Sequence, residues 1–209
     1  MTKRHPFRRL PWHDRPWHDR PWRDRRGIAA LEMALLAPVL LVLVTATVDV
    51  VRYVSITLTL NRTAANVSDI ATQFDKLRAG MTVVKGNEVG VLFLAATEVA
   101  QPLDLMAGGQ VIVTSVANMG QGSRVMWQER AGTGSAASHL GAAGGAATLP
   151  PGFTQQPGDN AIFTELFYRF TPYLLSWPWL GNAGTSTTLY ASAVYQPRLG
   201  TLTTLETGP

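Results

Sequence analysis

A predominantly apolar run extends from Ile28 to Val51, interrupted by Glu32, Pro38 and Asp49 and followed at once by Arg52. At 1.5 Å per residue it makes a helix of about 36 Å, enough to cross a hydrocarbon core of roughly 30 Å. Pro38 lacks an amide donor and is expected to kink that helix, a defect that membrane helices tolerate when neighbours re-satisfy the backbone. Asp49 and Arg52, three residues apart, share a face and mark the exit from the membrane. Beyond them Val67, Ile70, Phe74 and Leu77 recur at three- and four-residue steps, with Gly80 placed as a stop. The pattern predicts one helix from Ile28 to about Ala79, with residues 28–51 in the membrane. A second helix is expected from Glu88 to Ala100, ended by Pro102.

The pattern then changes period. Gln110 to Val116 and Arg124 to Gln128 are β-branched runs separated by NMGQGS, the signature of an antiparallel hairpin. From Asn160 to Phe170 the residues alternate: Ile162, Leu166, Tyr168 and Phe170 on one face, Phe163, Glu165, Phe167 and Arg169 on the other. Tyr190 to Tyr195 supplies a last strand. Between the hairpin and the alternating strand, residues 131–152 are rich in Gly, Ala and Ser without periodicity, and read as a flexible excursion without chemistry. The fold class is α+β: a long N-terminal helix over residues 28–80, then a small antiparallel sheet within residues 81–209.

Residues 1–27 form a separate leader. They hold PWHDR at 11–15 and 16–20 and PWRDR at 21–25, a Pro-rich period that cannot bury a core and should be extended and solvated. The leader carries nine Lys or Arg against three Asp, and residues 28–209 carry nine against eleven acids. The leader therefore carries +6 and the rest −2, which together make the net charge of +4. That asymmetry fits a cytoplasmic tail under the positive-inside rule rather than a nucleic-acid-binding domain. Zero cysteines exclude disulfides, thiolate nucleophiles and zinc–thiolate sites. Trp177 and Trp179, flanking a proline in a turn-rich loop, suit either a membrane interface or local packing.

Glu32 is the residue that asks for a reason. An ionised carboxylate early in a spanning helix costs roughly 2.5 kcal/mol or more unless something pairs with it. A cut after Gly27 would give Ile28 a new α-amino group, with a pKa of about 7.7–8.0, one helical turn away. Two other readings stay open. In an uncleaved signal anchor, Gly27 starts the helix and Glu32 snorkels to the headgroups. A secretory signal peptide cut near Thr45-Ala46-Thr47 would need an unusually long, acid-containing apolar region.

Catalytic constellations are not evident in this pattern. His139 sits in the flexible stretch and reads as solvated. Asp69, Asp75, Glu88 and Glu98 read as solvated faces. Asp159 and Glu165 could pair, but Glu165 reads more simply as a strand residue bonded to a neighbour such as Arg169. His13 and His18 lack the fixed geometry of a metal site. The expectation is no enzyme, no cofactor, no metal and no nucleic-acid partner.

The segment RRGIAALEMALLAPVLLVLVTATVDVVRY resembles the TadE-like pseudopilins of the tight-adherence (Flp) pilus: a Gly, a Glu five residues on, an apolar run with Pro and a D-x-x-R exit. AIFTELFYRFTPYL, with its Thr-Pro after an aromatic strand, and ASAVYQPRL are similar to that family's later strands. The resemblance implies that Gly27 precedes the cut, Ile28 is the new N-terminus and Glu32 serves recognition and register. It further implies a membrane prepilin peptidase as processing enzyme. Other partners would be the major Flp pilin, TadF-like or TadG-like subunits, an inner-membrane assembly platform and membrane lipid. The protein would then be a minor pseudopilin in the bacterial inner membrane, leader cytoplasmic and sheet periplasmic or extracellular, serving pilus biogenesis and adhesion. The alternative is an uncleaved, single-pass envelope binding protein.

Overall fold

A computed structural model describes residues 25–173 and 186–207, Arg25 and Arg26 by their backbone alone. The leader repeats and the Trp177 and Trp179 loop lie outside the described residues. The chain divides into two units, Met1–Leu43 and Val44–Pro209.

Helix α1 spans Arg25–Thr72, 48 residues with Pro38 inside it. In the first unit, every described side chain from Gly27 to Leu43 is exposed. The helix from Gly27 to Thr72 is long and apolar enough to cross a membrane, which fits a single-pass anchor. In the second unit, Ile56, Leu60, Ala64, Val67 and Ala71 form a buried stripe at three- and four-residue spacing. Buried Ser68, beside that stripe, ties the helix to the sheet: its hydroxyl donates to Thr164 Oγ1 at 2.8 Å, with the Ala193 carbonyl also within reach at 3.3 Å.

The helix ends at Thr72 and not near Ala79. Thr72 Oγ1 turns back to the Asp69 carbonyl, and the amides of Gln73 and Phe74 reach back only three residues, which closes the last turn. Leu77 and Phe74 still meet the core, but from an extended segment: Arg78 bridges to Glu88 and to Glu206. Tertiary backbone pairing thus takes over where spacing alone continues the helix.

Helix α2 is Val89–Ala100 and α3 is the short turn Leu105–Gly108, capped by Asp104, whose Oδ1 accepts from the Ala107 amide at 2.9 Å. Four antiparallel strands follow: β1 Gly109–Asn118, β2 Ser123–Gly132, β3 Asn160–Phe170 and β4 Thr187–Tyr195, in spatial order β2-β1-β3-β4. The hairpin carries a register shift between Ser115 and Val116. β4 begins earlier than Tyr190, because Thr187 and Thr188 already pair with Phe170 and Arg169.

β1 is buried along its whole length, so both faces of the sheet are covered. On one face α1 and α2 pack against Val111, Val113, Trp127, Ile162, Leu166 and Leu189. The other face is covered by the stretch expected to be a flexible excursion. Leu140 is buried there against Val116, Val125, Ala161 and Phe163, with Leu149 and Phe153 beside them. The backbone ties this segment to β2: Gly144 N donates to Val125 O at 2.8 Å, Val125 N to Gly145 O at 3.0 Å and Ala147 N to Ser123 O at 2.9 Å. Gly and Ala permit so close an approach, and that composition left no periodicity to read.

Candidate functional site

In the N-terminal unit Gly27, Ile28, Glu32 and Pro38 all lie on α1 and are exposed. A β-carbon added at Gly27 would meet nothing within 4 Å. Packing within this chain therefore does not demand glycine there, although glycine weakens a helix by roughly 1 kcal/mol relative to alanine. Glu32 faces outward on the same helix, one turn from Ile28.

Asp49 and Arg52 belong to the second unit, and they do more than share a face. Arg52 Nη1 lies 3.5 Å from Asp49 Oδ1. Its guanidinium sits over the Tyr173 ring at 3.9 Å and the Phe170 ring at 5.5 Å, and donates to the Thr171 carbonyl at 3.4 Å. Asp49 Oδ1 accepts the Tyr173 amide at 2.8 Å, and Tyr53 meets Phe170 edge-on at 5.7 Å. The D-x-x-R pair thus clasps the end of β3 and the Thr-Pro that follows it. Nothing in the spacing of Asp49 and Arg52 named those partners, although an aromatic strand running into Thr171-Pro172 was visible downstream.

Glu165 forms a second constellation. It is fully buried, and it does not bond Arg169 as the strand pattern suggested. Ser138 Oγ donates to its Oε2, while the His139 amide and the Tyr190 hydroxyl donate to Oε1 at 3.0 and 3.1 Å. The His139 ring is exposed, as expected, but packed at 4.4 Å from Tyr190 and 5.5 Å from Phe167. Burial, with the neighbouring Glu165 charge, pushes the Tyr190 phenol above its ordinary range against an opposing hydrogen bond with Ser192. A nucleophilic serine would present its oxygen to a base. Here Ser138 gives its proton directly to the carboxylate and its oxygen accepts the Leu140 amide, the geometry of a loop anchor.

Other carboxylates read as solvated are engaged. Glu88 is 6% exposed and accepts the amides of Lys85 at 2.7 Å and Gly86 at 2.9 Å. Those donors, Lys85 first, hold its carboxyl below the usual range against the opposing effect of burial. Asp69 pairs with Arg198 at 2.9 Å. Asp159 accepts the Gln156 amide in its own turn and does not pair with Glu165. No group of three metal-ligating side chains occurs among the described residues.

Residues 27–68 match the family model of the TadE-like protein. They form a TadE-like segment. The match begins at Gly27 and runs along α1 through Glu32, Pro38, Asp49 and Arg52 to Ser68. The resemblance noted in the sequence is borne out over that segment. No curated protein and no solved structure matches the chain.

Proposed function

We propose that this protein is a minor pseudopilin of a Tad pilus system, cut after Gly27 by a prepilin peptidase and acting structurally in pilus biogenesis and adhesion. The observation that carries the reading is the TadE-like match, whose first residue is Gly27. The open space around Gly27 leaves the bond after it accessible to a peptidase. The basic leader stays in the cytoplasm, the helix is held in the inner membrane, and the sheet domain lies in the periplasm or outside. The partners are the peptidase, the major Flp pilin, TadF-like or TadG-like subunits, the assembly platform and lipid.

Register comes from charge. After the cut, Glu32 pairs with the Ile28 amine of its own or a neighbouring subunit, and any other register leaves a carboxylate alone among apolar helices. Removing one partner from a buried pair costs about 3–5 kcal/mol, enough for one residue to enforce register. Replacing Glu32 with Ala is expected to leave membrane insertion intact and to impair piliation; normal piliation would sink the mechanism.

Intact mass of the protein recovered from membranes, with and without co-expressed prepilin peptidase, tests the processing step. A chain beginning at Ile28 only with active peptidase is the expected result, and Gly27→Leu should abolish it without lowering the amount of inserted protein. Retention of the leader under both conditions would overturn the pseudopilin reading in favour of an uncleaved anchor.

A further inference from the structure

Glu165 sits in the middle of β3 with no exposed surface, and its donors are Ser138, the His139 amide and Tyr190. All three are neutral with the phenol protonated. They satisfy the oxygens without cancelling the charge. Among the described residues no ion pair reaches Glu165. The guanidinium groups nearest in register on that face are Arg130, across Ile112 on β2, and Arg169, four residues along β3. Arg130 is exposed and donates to Gln128 Oε1. A carboxylate taken out of water without a cation is expensive, and buried charges are ordinarily paired.

A cleft of about 270 Å³ opens beside this carboxylate, its walls including His139, Leu149, Pro150, Pro151, Tyr190 and Ser192. Aromatic faces attract cations, more strongly where water is excluded. The volume falls below the range of about 300–1,000 Å³ typical of drug-sized ligands and suits one side chain. Tyr190 and Ser192 lie on β4, an edge strand of the sheet. An extended segment laid along that edge would place alternate side chains on the face that holds the cleft. Residues 28–209 carry nine basic against eleven acidic side chains, a balance that does not repel a basic partner.

We propose that the cleft between Tyr190, His139 and Pro150 binds one Lys or Arg side chain presented by a partner polypeptide, with Glu165 as its counter-charge. The cation rests on the Tyr190 and His139 rings, and the carboxylate behind them supplies the attraction. Cleavage after Gly27 is not required for this site, so it can be tested apart from the processing step.

The test is titration of the full detergent-solubilised chain, followed by calorimetry, with N-acetyl-arginine amide and with N-acetyl-citrulline amide, its uncharged isostere. Saturable binding of the arginine probe, at least tenfold tighter than of the citrulline probe, is expected. Tyr190→Leu should lose at least tenfold in arginine affinity, while Tyr190→Phe, which keeps the ring, should retain most of it. Glu165→Gln, if its thermal transition stays close to that of the parent, should bring arginine down to the citrulline level; if it fails to fold, the tyrosine variants decide. Equal affinity for the two probes, no saturable arginine binding, or a Tyr190→Leu variant that binds arginine like the parent would overturn the proposal.

Discussion

Arg52 holds a strand end to its helix through a carbonyl and two aromatic faces, while pairing along the helix with the Asp49 carboxylate. Cation–π contacts at exposed sites contribute about 0.5–1 kcal/mol each and exposed ion pairs less, so Arg52→Ala is expected to destabilise the sheet domain by roughly 1–2 kcal/mol. Arg52→Lys should recover only part of this, because an ammonium cannot stack flat on Tyr173 while bonding Thr171. Thermal denaturation of the three proteins checks the order. The pair itself was legible from its spacing. Its partners, more than a hundred residues downstream, were not, because a single sequence encodes no distance between Arg52 and Thr171. Glu88 and Glu206 give a pH signature. Amides of Lys85 and Gly86 lower the Glu88 carboxyl, and Lys76, then Arg78, lower Glu206. A carboxyl depressed on folding adds stability that is present in full above its ordinary value of 4.5 and is lost as pH falls through the folded value. Unfolding followed from pH 6 down to 2 should therefore show an acid loss that Glu88→Gln reduces.

The strands were legible because burial imposes alternation: β3 emerged with its expected bounds, Asn160–Phe170. α2 emerged within a residue for the same reason, its apolar face and Pro102 stop both being local signals. The end of α1 and the covering segment were not legible. Each depends on backbone pairing with a distant strand or tail, and a glycine- and alanine-rich stretch shows no side-chain period when its backbone does the bonding. That segment is expected to behave as structure. The amides of His139, bonded to Glu165, and Thr148, bonded to Leu140 O, should be protected in hydrogen exchange. Glu165→Ala strands three donors at about 1–3 kcal/mol for each that stays dry, and should make residues 133–153 a site of limited proteolysis. An unchanged digestion pattern would contradict the anchoring role.

The sheet domain is closed by its last described segment. Leu202 is 1% exposed, and its carbonyl accepts Ser115 Oγ at 2.7 Å and Trp127 Nε1 at 2.8 Å. Arg198 pairs with Asp69, and Glu206 with Lys76 and Arg78, tying this segment back to the region where α1 ends. Leu202→Ala is expected to cost about 2–5 kcal/mol in a chemical denaturation experiment, the usual range for a buried leucine, and to do so without disturbing membrane insertion. The clasp at Arg52 has a temporal meaning too. Thr171 and Tyr173 are made 119 and 124 positions after their partners, so α1 is synthesised long before anything it must grip. Until the ribosome has passed Leu202, the buried stripe from Ile56 to Ala71 lacks the full sheet with its closing segment. Non-local pairing of this kind delays folding until the late residues arrive. A nascent chain interrupted before that point would remain open to proteases, so only finished polypeptides would survive to be used.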